Sequence, residues 1–224
     1  MRVQIAGISN LKDALAVVEF GGDGIGFTLG LPGGPHDGLT EKKARDIIVK
    51  LPPLVSTVLI TYHNTAEKVG ELARYLGVTT VQLHNETDIS EMKKIREIIP
   101  HIKLIKSVNV IDEPSIEKAR ELSEHVDCII LDTYDPETGR HGATGKTHNW
   151  DISRRIVEEC KVPVILAGGL NPDNVEEAIK KVEPWGVDVH TGIENEDGTK
   201  NYEKMRLFIE RAKRITNLNN RYKL

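Results

Sequence analysis

Cysteine is scarce: Cys128 and Cys160 are the only two in 224 residues. Two distant cysteines do not make a disulfide framework, so the fold must rest on an apolar core. Aromatic residues are also few, at 4%. No apolar run approaches the roughly 20 residues a bilayer crossing needs, so no membrane association is expected. Met1–Ile8 is short and leads straight into a helix signal, unlike a secretory leader. No long basic run occurs, and the formal charge of −4 argues against a dedicated nucleic-acid binder. H-E-x-x-H, paired C-x-x-C and G-x-S-x-G are all missing, which removes metalloprotease, zinc-ribbon and serine-hydrolase readings. A reducing cytoplasm is the expected compartment.

What is present is alternation. Eight short apolar runs (2–7, 24–28, 55–61, 80–84, 103–108, 128–133, 163–168 and 186–191) alternate with eight amphipathic stretches (11–20, 41–51, 66–76, 89–98, 115–123, 152–160, 173–182 and 202–214). Asn10, Thr40, Asp88 and Asp151 sit where N-caps belong, and Asn171-Pro172 reads as a cap with proline in the first turn. Strands that alternate with single helices form right-handed βαβ units and a parallel sheet. Eight such units predict an α/β fold of the single (βα)8 TIM-barrel type over residues 1–215, followed by a polar tail, 216–224. The first turn lacks G-x-G-x-x-G, which argues against an open dinucleotide-binding sheet.

The most telling segments are Ala167-Gly168-Gly169-Leu170-Asn171-Pro172 and Val187-Asp188-Val189-His190-Thr191-Gly192-Ile193-Glu194. Both are apolar runs that stop at glycine. A turn without a Cβ lets backbone N–H groups approach an anion, and the next helix N-terminus favours negative charge. Paired turns after strands seven and eight are where such barrels hold phosphate. Gly168, Gly169, Thr191 and Gly192 are therefore candidate phosphate-binding residues, and the expected ligand is a phosphorylated small molecule.

His63, His84 and His190 fall at the C-terminal ends of strands three, four and eight. His36, His141 and His148 lie in the two long top loops, and His101 and His125 fall toward the bottom. Asp132 ends an otherwise apolar strand, where a carboxyl partly withdrawn from water keeps its proton and can donate it. Asp188, two before His190, either orients that ring or pairs with an inward lysine such as Lys106.

Taken together the motifs resemble the phosphoribosylanthranilate isomerases of tryptophan biosynthesis over nearly the whole chain. The matching segments are Gly7-Ile8-Ser9-Asn10, Gly26-Phe27, Val81-Gln82-Leu83-His84, Ile105-Lys106-Ser107-Val108, Leu131-Asp132-Thr133, Gly142 to Thr147 with Trp150, Ala167 to Pro172, and Val187 to Glu194 except His190. The resemblance implies a single (βα)8 barrel, no cofactor, and an Amadori rearrangement of a phosphoribosyl amine. An acid opens the furanose ring to a Schiff base, then a base removes the C2′ proton. Asp132 would be the acid and Lys146 a retained site residue.

The chain departs from the pattern at its other end. Ala6 stands where the family has its cysteine base, and a methyl group takes no proton. Gln4 replaces a lysine, and the loop Leu31–Gly38 lacks the arginine that pairs with the anthranilate carboxylate. His190 stands where a small hydroxyl residue is usual. The catalytic candidates are therefore Asp132, His190 and His84, with Ala6, Asp188 and Lys146 beside them. Two alternatives remain: a phosphosugar epimerase or aldolase using a metal held by the mouth histidines, and a non-catalytic binder of phosphometabolites. Oligomeric state stays open between monomer and homodimer.

Overall fold

A computed structural model describes residues 1–31, 38–135, 140–141 and 147–215, with backbone only at 135, 140 and 141. Eight parallel strands close into a barrel: β1 (Arg2–Ile5), β2 (Gly24–Leu29), β3 (Ser56–Thr61), β4 (Thr80–Leu83), β5 (Lys103–Asn109), β6 (Cys128–Asp132), β7 (Val164–Leu166) and β8 (Gly186–Val189). Around them run α1 (Leu11–Glu19), α2 (Glu41–Ile48), α3 (Ala66–Leu76), α4 (Ile89–Ile98), α5 (Pro114–Ser123), α6 (Trp150–Glu159), α7 (Val175–Val182) and α8 (Tyr202–Arg214). The eightfold alternation in the sequence is thus the architecture. After β6, Tyr134–Asp135 and Arg140–His141 add a small antiparallel ribbon.

Each helix closes one face of the cylinder. In α3, Val69, Leu72, Ala73 and Leu76 recur at helical spacing and are buried; the helix stops at Gly77. That glycine takes φ 71° and its N–H caps the Ala73 carbonyl. A buried leucine of this kind contributes about 1.5–3 kcal/mol. Among the described residues no helix is long and apolar enough to cross a membrane.

Strand register sorts the side chains into two sets. Val3, Ile5, Val187 and Val189 face the helices in the main core. Their neighbours Gln4 and Asp188, paired in register, face the lumen. Two small apolar clusters line the interior: Ile105, Cys128, Ile130, Ile165 and Ala167 on one side, and Ala6, Val58 and Ile60 on the other. Cys128 is a buried free thiol, as expected of its apolar run.

Three expectations need correction. Asn149, not Asp151, caps α6: its side chain accepts from the Asp151 N–H. Asn171 caps no helix directly, because its oxygen accepts from the N–H groups of Asp173 and Asn174 and α7 begins at Val175. Lys106 is not an inward lysine. It shares the face of Leu104 and Val108, which pack against the helices. Its Nζ donates to the Asn85 and Ser107 carbonyls at 2.8 and 2.7 Å. Burial lowers its pKa to about 8.

Candidate functional site

The parallel strands all end at one rim, and the chemistry-bearing residues collect there. His84 follows β4 and Asp132 closes β6, on strands separated by β5. His84 Nε2 lies 3.6 Å from Asp132 Oδ2, and both side chains are over nine-tenths buried. The other carboxylate oxygen, Oδ1, accepts the Thr133 N–H at 2.7 Å. Tyr62, just past β3, tilts against the His84 ring with centroids 5.1 Å apart. Burial and the nearby Asp132 charge push the Tyr62 hydroxyl up to about 12.

Below the rim, Gln4 Nε2 donates to Gln82 Oε1 at 2.9 Å, and Gln82 Nε2 faces His84 Nδ1 at 3.5 Å. Asp188 joins the same chain through a hydrogen bond with Gln4. Asp188 is buried, and among the described residues its Oδ1 has no hydrogen-bond partner. Burial raises its pKa to about 7; the Asp132 charge adds to this, while the Gln4 bond and Lys200 act against it. Asp188 therefore pairs with neither of the two partners expected of it.

His190 Nε2 lies 3.3 Å from Glu194 Oε1 instead. The same carboxylate oxygen sits 2.7 Å from Lys200 Nζ. The His190 ring lies directly over Gly7, which holds φ 69°: any Cβ there would overlap the imidazole. Ala6 donates its N–H to the Val189 carbonyl at 2.9 Å. Ala6, one step past the Ile5–Val189 pair, packs its methyl group with Val58 and Ile60, and the His190 ring lies over the next residue, Gly7.

The two glycine turns also meet. Gly168 and Gly169 follow β7 with φ of 78° and 65°, conformations that suit glycine. Thr191–Ile193 forms a 3-10 turn after β8. A Cβ on Gly192 would overlap the Leu170 carbonyl, and one on Gly168 the Thr133 hydroxyl. Bare backbone therefore faces backbone across the seventh and eighth rims. The Asn174 amide holds the Gly169 carbonyl at 3.0 Å.

The other histidines divide. His63 packs its ring on Gly30 after β2. His148 bridges Thr133 Oγ1 and Ser153 Oγ at 3.0 and 2.8 Å, and burial depresses its pKa to about 4. His36 and Lys146 lie outside the described residues, as do the His141 side chain and the 216–224 tail. Among the described residues no group of three or more His, Cys, Asp or Glu side chains is gathered to hold a metal. The sequence reading missed Glu194 and Lys200 as partners of His190, and Gln4 and Gln82 as the link between Asp188 and His84. Gln82 could have been found: it sits two residues before His84, on the same strand face.

Comparison with known proteins agrees with this geometry. The family model for N-(5′-phosphoribosyl)anthranilate isomerase matches residues 3–211. The N-(5′-phosphoribosyl)anthranilate isomerase 2 of Methanosarcina mazei is 39% identical, covering 95% of this chain and 94% of its own. The crystal structure of the Thermotoga maritima enzyme superposes with a TM-score of 0.84 at 38% identity, covering 96% of this chain and 100% of that one. A phosphoribosyl anthranilate isomerase bound to reduced 1-(o-carboxyphenylamino)-1-deoxyribulose 5-phosphate gives 0.81 at 36%, with the same coverage. Matched nearly end to end by the family model and by relatives of this identity, the chain belongs to the N-(5′-phosphoribosyl)anthranilate isomerase family.

Proposed function

We propose that this protein isomerises N-(5′-phosphoribosyl)anthranilate, or a closely related phosphoribosyl amine, to the 1-amino-1-deoxyketose. The observation that carries this reading is the Asp132 carboxyl at the rim, 3.6 Å from His84 Nε2 and on the same rim as the Gly168-Gly169 and Gly192 turns. The phosphate rests on backbone N–H groups of Gly168, Gly169, Thr191 and Gly192. Asp132 gives its proton to the furanose oxygen; the C1′–O bond breaks and a Schiff base forms. His84, with its ring against Asp132, helps return the proton to that acid.

His190 takes the C2′ proton. Its ring lies over Gly7, one residue after Ala6, where the resemblance puts the family's thiol, and it supplies a base from the adjoining strand. The electron pair of the C2′–H bond becomes the enolamine double bond, and protonation at C1′ with loss of the C2′ hydroxyl proton yields the ketone. No cofactor enters these steps, the substrate is a phosphorylated small molecule, and the working compartment is the cytoplasm. The protein acts as a monomer or a homodimer; one solved relative is a dimeric Thermotoga maritima isomerase converted to monomers.

The test is turnover of phosphoribosylanthranilate by the purified protein beside Asp132→Asn. Loss of a positioned acid lowers kcat about 10²–10⁴-fold. Equal rates for the two proteins would remove Asp132 from the reaction. Phosphate binding without any turnover would favour the non-catalytic alternative, which Ala6 motivates.

A further inference from the structure

We propose that Glu194, clamped by Lys200, is a positioning residue that presents His190 as a proton acceptor. This rests on the isomerase reading above, in which His190 is the base.

The local chain is built for such a clamp. After Val189 the backbone leaves the strand, with His190 at φ −121° and ψ −83°, and turns through Thr191–Ile193. That turn brings Glu194, four residues on, back to His190 Nε2. Glu194 and Lys200 then pair as an isolated antiparallel bridge. The bend between them closes through Asn195 N–H to the Thr199 carbonyl at 2.8 Å. The Lys200 side chain is 2% exposed and Glu194 14%. Lys200 Nζ also donates to the His190 carbonyl at 3.3 Å, tying the clamp to the backbone of the residue it serves.

The 3.3 Å approach is a charge contact rather than a hydrogen bond, and a fixed carboxylate at that distance favours the tautomer with hydrogen on Nε2 and the basic electron pair on Nδ1. It also holds the ring in one orientation, as the buried aspartate does in hydrolytic triads. Burial alone would push the Glu194 carboxyl up, but His190 and Lys200 outweigh it and hold it down at about 2. The clamp therefore stays ionised wherever a neutral imidazole is available. Gly7, with no Cβ, supplies the floor on which the ring lies. A mere loop clip would need the Glu194–Lys200 pair alone; the 3.3 Å approach of His190 Nε2 to the same oxygen is the additional fact.

The experiment is a double-mutant cycle on the full chain, read as kcat and KM for phosphoribosylanthranilate. Glu194→Gln should lower kcat about 10- to 100-fold, as loss of a partner behind an imidazole commonly does, with KM within about twofold. In a His190→Ala background the same change should cost nothing further, because its route is already cut. A loss that persists there, or no loss in either background, overturns the proposal. Should Glu194→Gln fail to fold, Glu194→Asp retains the charge, withdraws the acceptor by one methylene, and carries the same expectation. A second readout needs no turnover: ring 15N shifts of His190 in the unmutated protein should report hydrogen on Nε2, and hydrogen on Nδ1 alone overturns the clamp. An unmutated protein that turns over while His190→Ala keeps full kcat would instead refute His190 as base, leaving the Asp132 reading intact.

Discussion

Gln4 Nε2 donates to Gln82 Oε1 at 2.9 Å, a bond that spans the barrel lumen from β1 to β4. It fixes the direction of the chain behind it. With its carbonyl occupied, Gln82 turns its amide nitrogen toward His84 Nδ1. A donor at that place favours the tautomer in which Nδ1 accepts and the hydrogen sits on Nε2, 3.6 Å from Asp132 Oδ2. Replacing Gln82 with methionine, similar in length but without a donor, should release this tautomer. We expect a kcat loss of about tenfold, below the 10²–10⁴ of a full general acid–base contribution because the link acts only through His84. Ring 15N shifts of His84 and steady-state kinetics check it; unchanged values for both would show that the link is idle.

If His190 supplies the base that Ala6 cannot, the two positions are interchangeable sources of one function. His190→Ala should lower kcat about 10²–10⁴-fold. Adding Ala6→Cys to that variant should recover at least part of it, since a thiol then stands among Val58 and Ile60, one residue before the Gly7 over which the ring lay. Kinetics of the single and double variants decide this. A double variant no faster than His190→Ala would count against a shared role.

Asp188 makes stability depend on pH. Its folded pKa of about 7 lies above the ordinary 3.8, chiefly because burial disfavours the charged form. The folded state therefore holds a proton that the unfolded chain has released between about pH 4 and 7. Its contribution is complete below pH 4 and is lost as pH rises through 7. Asp188→Asn keeps the shape without the charge. The variant should exceed the parent by at least about 1 kcal/mol at pH 8, the gain fading toward pH 4. Denaturant melts at the two pH values measure it, and a pH-independent difference would refute the assignment.

Gly192 has no room to grow. A methyl group there would overlap the Leu170 carbonyl, which is backbone and cannot swing aside. Gly192→Ala should cost about 1–3 kcal/mol by overpacking and weaken inorganic phosphate binding at the same rim. Thermal unfolding with and without phosphate reads both effects. An alanine variant of parental stability would mean that the two turns do not abut.

Much of this was legible in the sequence, for reasons particular residues make plain. Cys128-Ile129-Ile130-Leu131-Asp132 is an apolar strand with one carboxylate at its end, and the structure puts that carboxylate at the rim. Helix starts were less secure, because asparagine and aspartate also make turns. Asn171 spends its oxygen on two N–H groups before α7 begins. Lys106 misled for a different reason. In Leu104-Ile105-Lys106-Ser107-Val108 both faces of the strand are apolar, so alternation cannot tell lumen from helix layer. The Glu194–His190 contact was hidden more deeply. Four-residue spacing suggests a helical pair, but here a 3-10 turn creates the approach, and Lys200 closes it from six residues further on.

Gly7 and His190 have a consequence for how this lineage can drift. The imidazole fills the notch that a missing Cβ leaves above Gly7. Any larger residue at 7 would evict the ring, so while histidine occupies 190 the glycine is not free to vary. The order of change is thereby set: 190 can shrink while the glycine stays, but 7 cannot gain a side chain before the ring has gone.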